Sequence, residues 1–290
     1  MAKLIFGCGY LGLRVARLWR AAGQTVFALT RSKNRAADLA AGGIQPLVGD
    51  LLGEAEIQVP QGVSTVLFAV GYDRSTEASI HDVYVQGLAQ VIRCLPESVE
   101  RLIYISSTGV YGQVAGDEVD EQSPCAPVRA GGKACLAAEQ LLQSSRFASK
   151  AIILRLAGIY GPGRIPRSAD LLAGRPIDAP ERGWLNLIHV DDAARIVLLA
   201  EERAVPPRTY VISDGHPVQR DDYYGELAGL LHSPPPQFIP PPSDSPAAAR
   251  AASDKRVNPR KMLAELQPTL LYPDYRAGLT AIVSADKRTR

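Results

Sequence analysis

An α/β fold on a doubly wound parallel sheet is what this chain of 290 residues predicts. Three observations carry that expectation. Short, continuous apolar runs alternate with helical patterns through the first two-thirds. A glycine-rich turn, GCGYLG, joins the first run to the first helix. After residue 160 the texture becomes rich in Gly and Pro and reads as irregular structure. Uninterrupted apolar runs separated by helices indicate strands covered on both faces and joined by right-handed crossovers.

Each element has its own signal. KLIFG (3–7) reads as a buried strand, and YLGLRVARLWRAAG (10–23) as a helix stopped by Gly23. TVFAL (25–29) is a second strand, RAADLAAGG (35–43) a helix with a glycine stop, and PLVGD (46–50) a third strand. STVLFAV (64–70), RLIYISS (101–107) and AIILRLAG (151–158) follow as the fourth, fifth and sixth. Residues 161–183 read as irregular. VDDAARIVLLAEE (190–202) has helical spacing, with Asp191 or Asp192 as its candidate cap. RTYVIS (208–213) is a further strand and NPRKMLAEL (258–266) a short helix. HSPPPQFIPPPSDSP (232–246) is an extended connector, because proline has no N–H for a helix interior or a central strand.

Composition excludes several functions. The formal net charge is +2, so neither nucleic acid nor a membrane surface is an expected partner. No apolar run approaches the 18 or so residues of a membrane span. The run before the first glycine is too short for a secretory signal, which makes cytoplasmic the expected location. The four cysteines, Cys8, Cys94, Cys125 and Cys135, form no CxxC pair and suggest neither zinc nor a disulfide framework.

GCGYLG (7–12) is a GxGxxG match in the context that gives it meaning, after a strand and opening a helix. Gly7 permits the tight turn, Gly9 a close approach to a pyrophosphate, and Gly12 close helix packing. The helix N-terminus offers its N–H groups to the phosphates. Tyr10 and Leu11 lie within the loop. A site for NAD places an acidic residue about 20 residues further on, to hold the ribose 2′-OH. Between Arg17 and Ala37 no Asp or Glu occurs, and the second strand runs into LTRSKNR. Thr30 or Ser32 with Arg31 suits a 2′-phosphate, so NADP is expected over NAD. Asp50 is placed to accept from the adenine amino group, and Leu51 and Ala69 complete the expected cofactor contacts.

YISSTGVYG (104–112), RLAGIYGPGR (155–164) and NLIHVDDAA (186–194), in that order after GCGYLG, resemble the extended short-chain dehydrogenase/reductases. This is the epimerase/dehydratase superfamily acting on nucleotide sugars and related compounds. The resemblance reaches the C-terminal DKRVNPRKMLAEL and YPDYRAGL. It implies a Rossmann unit from residues 1–160 and 184–214, interleaved with a smaller substrate unit from 161–183 and 215–290. It implies a small-molecule substrate, and by analogy with the fold a homodimer is compatible.

In that family a Ser or Thr precedes the VYG motif, and a Tyr followed four residues later by Lys opens the next helix. Ser107, with Thr108 beside it, matches the first. PVRAGGKACLAAE (127–139) matches the second with Lys133 as the lysine, and then Arg129 stands where the tyrosine is expected. Arg remains protonated at physiological pH, so it cannot replace a phenol as acid and base. Its guanidinium can donate to a developing alkoxide or hold an anionic substrate. The missing tyrosine resembles the atypical branch of the superfamily. Two functions follow. One is an NADP-dependent oxidoreductase in which Ser107 holds the substrate oxygen, Lys133 positions the ribose, and Tyr111 or Tyr160 supplies the proton. The other is a catalytically silent NADP(H) sensor. Trp184 and Asn186 are candidate substrate contacts, whereas His189 and Asp191 are expected to order the junction between the units.

Overall fold

Seven parallel strands form the central sheet of the computed structural model, which describes residues 1–289. They are β1 (Ala2–Phe6), β2 (Thr25–Thr30), β3 (Gln45–Val48), β4 (Val63–Phe68), β5 (Arg101–Ser107), β6 (Ala151–Leu156) and β7 (Arg208–Ile212). Their order across the sheet is β3-β2-β1-β4-β5-β6-β7. Every residue of β1, β4 and β6 is buried, which is why these strands read as unbroken apolar runs. The order reverses between β1 and β4, and such a reversal opens a crevice at the carboxyl ends of the strands.

The helices cover both faces. On one, α1 (Gly12–Ala21) and α5 (Val190–Arg203) pack Val15, Ala16, Trp19, Ile196, Val197 and Ala200 against Ile5, Leu67 and Ile103. On the other, α3 (Gly87–Cys94) and α4 (Ala130–Gln143) set Leu88, Val91, Ala138 and Leu142 against Phe6, Phe68 and Tyr104. Fully burying each large apolar side chain contributes about 1.5–3 kcal/mol. A further cluster lies beyond the sheet. It joins Tyr160, Leu171 and Ile177 to Tyr223 and Leu227 of the helix Arg220–Leu231 and to Leu279 and Ile282 of the helix Tyr275–Thr289.

Some local features differ from the sequence reading. The cap of α5 is His189, whose Nδ1 accepts from the Asp191 N–H at 3.2 Å. Asp191 instead pairs with Arg14 at 2.7 Å. Asp192 is buried, and its carboxylate accepts the N–H groups of Leu271 (2.7 Å) and Tyr272 (3.0 Å), fastening the C-terminal segment to α5. The helices Arg220–Leu231 and Tyr275–Thr289 were not expected from the sequence, nor was the π-helical segment Asp82–Gln86 that leads into α3. Arg220–Leu231 buries Tyr223, Tyr224, Leu227 and Ala228 on one side, and its two glycines obscure that period. Within the proline-rich connector, Phe238–Ile239 pairs in parallel with Ile177–Asp178. Among the described residues no helix is long and apolar enough to cross a membrane, and no His, Cys, Asp and Glu group could hold a metal ion.

Candidate active site

A cleft of about 840 Å³ opens at the carboxyl ends of β1, β2, β4, β5 and β6. The GCGYLG turn forms part of its wall. Gly7 has φ +92°, and a Cβ there would lie 2.4 Å from the Ala69 carbonyl carbon at the end of β4. A Cβ on Gly12 would lie 2.3 Å from the Gly7 oxygen. Both positions therefore exclude a side chain. Gly9 differs: a Cβ there meets nothing within 4 Å, so its missing side chain leaves room beside the loop. The start of α1 carries no side-chain cap and no acidic residue in its first turn. A helix start with no side-chain cap and no acidic residue, its positive dipole end set beside an open glycine, suits a pyrophosphate, so these residues fit a dinucleotide.

Gly7, Gly9, Tyr10, Leu11, Thr30, Arg31, Asp50, Leu51 and Ala69 all line the cleft. Ser32 does not. Its hydroxyl caps the helix Lys33–Ala41 by accepting the Arg35 N–H at 3.2 Å. Gly12 is buried behind the loop and serves packing. The Arg35 guanidinium donates to the Cys8 carbonyl at 3.2 Å and braces the turn from outside. Arg31 is largely exposed and lies 3.9 Å from the equally exposed Asp73. Tyr10 sits between two guanidinium groups, those of Arg14 at 4.4 Å and Arg164 at 5.4 Å from its ring centroid, and Arg164 also lines the cleft.

At the other end of the cleft stand Ser107, Thr108, Tyr84, Tyr104, Arg129, Cys135 and Lys255. Ser107 ends β5, and its Oγ accepts the Gly109 N–H at 3.0 Å. A Cβ on Gly109 would lie 3.2 Å from Ser107 Oγ and 3.4 Å from an Arg129 Nη, so both side chains border this glycine. Arg129 occupies the N-cap position of α4. Tyr84 arrives on the π-helical segment. Burial drives the thiol of Cys135 up to about 11.

Other expected residues are elsewhere. Lys133 is exposed on α4 and does not line the cleft, so it does not converge with Ser107. Two residues make a turn of about 200° on a helix, which is why Cys135 faces the cleft instead. Tyr111 is buried beneath the floor, where its hydroxyl accepts from Arg155 at 2.9 Å. Arg155 in turn forks onto Glu139, which also accepts from Ser106 at 2.5 Å. Burial raises the phenol of Tyr111 despite the opposing Arg155. Tyr160 is buried too, donating to the Asp274 carbonyl at 3.3 Å, and burial again raises its phenol. Neither tyrosine lines the cleft. The Asn186 side chain joins the backbone of Lys255 and Val257 at 2.8 Å each. The backbone N–H of Trp184 donates to Asp254 at 2.7 Å, and its ring lies under Arg256. Both residues lie outside the cleft lining and brace the segment 254–257.

The profile of the NAD dependent epimerase/dehydratase family matches residues 4–213. The chain belongs to this family. Among its relatives, Protein YeeZ of Escherichia coli (strain K12) is 33% identical over 159 residues, 54% of this chain and 56% of that protein. The match thus spans little more than half the length of that relative. A 4-hydroxy-2-methyl-3-oxo-4-farnesyl-3,4-dihydroquinoline-1-oxide ketoreductase of Stigmatella aurantiaca is 30% identical over 227 residues, covering 73% of this chain and 68% of the relative. Among solved structures, a functionally unknown protein from Silicibacter pomeroyi DSS superposes with a TM-score of 0.78 at 27% identity, over 99% of each chain. Family membership accounts for the strand order and the glycine turn. It leaves the residues around Ser107 to be read for themselves.

Lys255 is among the cleft residues that the sequence did not announce as site residues, with Tyr84, Tyr104, Cys135 and Arg164. It lies in the strand Lys255–Val257, which pairs with Asp117–Val119 and alternates buried, exposed, buried. The signal available was a lysine at an inward position of a short alternating segment, DKRV.

Proposed function

We propose that the protein is an NADP(H)-dependent oxidoreductase that moves hydride to or from a carbonyl or hydroxyl carbon of a small polar substrate. The observation that carries this reading is the single cleft that joins the glycine turn and Arg31 at one end to Ser107 and Arg129 at the other. Bound NADPH would supply the hydride. Ser107 and Arg129 are then the donors nearest a developing alkoxide, and fixed donors stabilise such charge where it forms. A relative named as a ketoreductase supports the carbonyl as reacting group. Residues 161–183 and 215–290 supply the substrate side, Lys255 included.

NADP is favoured over NAD because Thr30 and Arg31 line the cleft where β2 ends, and β2 carries no acidic residue. Asp73 competes weakly for Arg31, since an exposed pair at 3.9 Å contributes little. The family's Tyr and Lys, four residues apart, correspond best to Gly131 and Cys135, because Cys135 is the residue of that turn that faces the cleft. Both family side chains are then absent. That absence favours a second reading, a silent NADP(H)-binding sensor.

One experiment separates them. NADPH and NADH are titrated by fluorescence, and NADPH oxidation is then followed with a panel of aldehydes, ketones and oxo acids. Tight NADPH binding with turnover is expected. Binding without turnover on any member selects the sensor, and failure to bind either nucleotide overturns both.

A further inference from the structure

We propose that the corner of the cleft between Arg129 and Lys255 binds an oxyanion of the substrate, a carboxylate or phosphate carried close to the reacting carbon. The proposal rests on the oxidoreductase reading of the same cleft.

Lys255 is 6% exposed, and its Nζ donates to Ser253 Oγ at 2.6 Å and to the Tyr111 carbonyl at 3.2 Å. Both acceptors are neutral. A buried ammonium without a carboxylate partner is costly, and an apolar side chain of the same length would pack there at lower cost. Arg129 adds like charge. Burial first, then Arg129, pushes the Lys255 ammonium down to about 8, against a smaller opposing effect of Asp254. The Asp254 carboxylate is engaged with the Trp184 N–H. Among the described residues that line the cleft, the carboxylates are Asp50 and Asp73, which stand with Thr30 and Arg31 at the far end.

Lys255 is held in that corner against burial and against the like charge of Arg129, so its ammonium is stabilised when an anion enters. A guanidinium presents parallel donors that match a carboxylate or phosphate, and an ammonium adds a point charge. Position supplies the rest. Lys255 holds the carbonyl of Tyr111, in the turn that begins at Ser107, and Arg129 borders Gly109 in that turn. A substrate whose reacting oxygen meets Ser107 therefore brings a neighbouring anionic group to Arg129 and Lys255. The class is an oxo or hydroxy compound bearing a carboxylate or phosphate.

The test is calorimetric titration of the NADP⁺-saturated protein with malonate, inorganic phosphate and uridine diphosphate, at pH 7 and pH 9.5. One-to-one binding is expected, weakened at least tenfold in Lys255→Met and in Arg129→Gln. Malonate should also bind several-fold more weakly at pH 9.5, because Lys255 loses its charge between the two pH values. The pH arm uses the unaltered protein, and Arg129 is only half-buried, so a folding defect in Lys255→Met does not remove the test. Preference for malonate assigns a carboxylate; preference for phosphate or uridine diphosphate assigns a phosphate. No binding of any probe, or binding indifferent to both substitutions and to pH, overturns the proposal. Failure of NADP⁺ to bind strikes the oxidoreductase reading alone, since titration of the free protein with the same anions still decides this one.

Discussion

Cys135 lines the cleft beside Tyr104 and Ser106, while Lys133, two residues earlier on the same helix, stands in solvent. That relationship changes what the helix contributes. A lysine one turn into α4 would face the nicotinamide ribose only if it shared the side of the helix that Cys135 occupies. The cations of the site come instead from the N-cap, Arg129, and from a strand more than 100 residues later, Lys255.

Lys133→Ala should therefore leave NADPH affinity within about twofold of the parent, because an exposed side chain away from such features is energetically near neutral. Fluorescence titration reads this directly. A large loss would return Lys133 to the site. Cys135 should resist alkylation in parallel. With its thiol near 11, the thiolate fraction at pH 7.5 is below about one in a thousand. Mass spectrometry after iodoacetamide treatment of the folded protein should find it unmodified.

Arg31→Ala should weaken NADP⁺ binding about tenfold and leave NAD⁺ nearly unchanged. A charge-assisted hydrogen bond contributes roughly 1.5–3 kcal/mol, reduced here by the exposure of Arg31. Paired titrations with both nucleotides check the split. An equal loss for the two would assign Arg31 to something other than the 2′-phosphate.

Much of this was legible in the residues. The unbroken apolar runs gave the sheet because β1, β4 and β6 are buried on both faces, and the glycines of 7–12 announced the tight turn from β1 into α1. Side-chain direction was not legible. Sequence spacing placed Lys133 four residues after Arg129, yet no local pattern told which side of α4 would meet the sheet. Tyr111 and Tyr160 follow strand ends, as cleft residues do, but Arg155 and the Asp274 carbonyl hold their hydroxyls in the interior. Lys255 enters the site through tertiary pairing with Asp117–Val119, a contact across more than 130 residues that no short window contains.

The floor of the site rests on the Glu139–Arg155 pair, with side chains 1% and 8% exposed and a closest contact of 2.7 Å. Removing one partner leaves the other charge buried. Glu139→Ala should cost about 3–5 kcal/mol, a fall in Tm of ~10 °C for a chain of this size. Glu139→Leu with Arg155→Met should recover part of that loss, because the apolar pair removes the stranded charge but leaves the buried Ser106 and Tyr111 hydroxyls without these partners. Thermal melts of the single and double variants test it. A double variant no more stable than Glu139→Ala would show that the ion pair holds the floor by its charges.

Asp214 gives stability a pH dependence of unusual sign. It is 5% exposed, its Oδ1 accepts the His216 N–H at 2.9 Å, and its Oδ2 has no hydrogen-bond partner among the described residues. Burial is the main cause that raises its carboxyl to about 7, helped by the nearby Asp274 and Asp192. A folded-state value above the unfolded one means that the native protein binds the extra proton between the two. Stability from this group is present below about pH 4 and is lost as pH rises through 7. The loss is on the order of 2–4 kcal/mol by linkage. Asp214→Asn cannot ionise, so its advantage over the parent should be small at pH 4.5 and grow to its full size by pH 8. Urea unfolding at the two pH values measures the difference, and a variant whose advantage is the same at both would show that Asp214 titrates alike in the folded and unfolded chain.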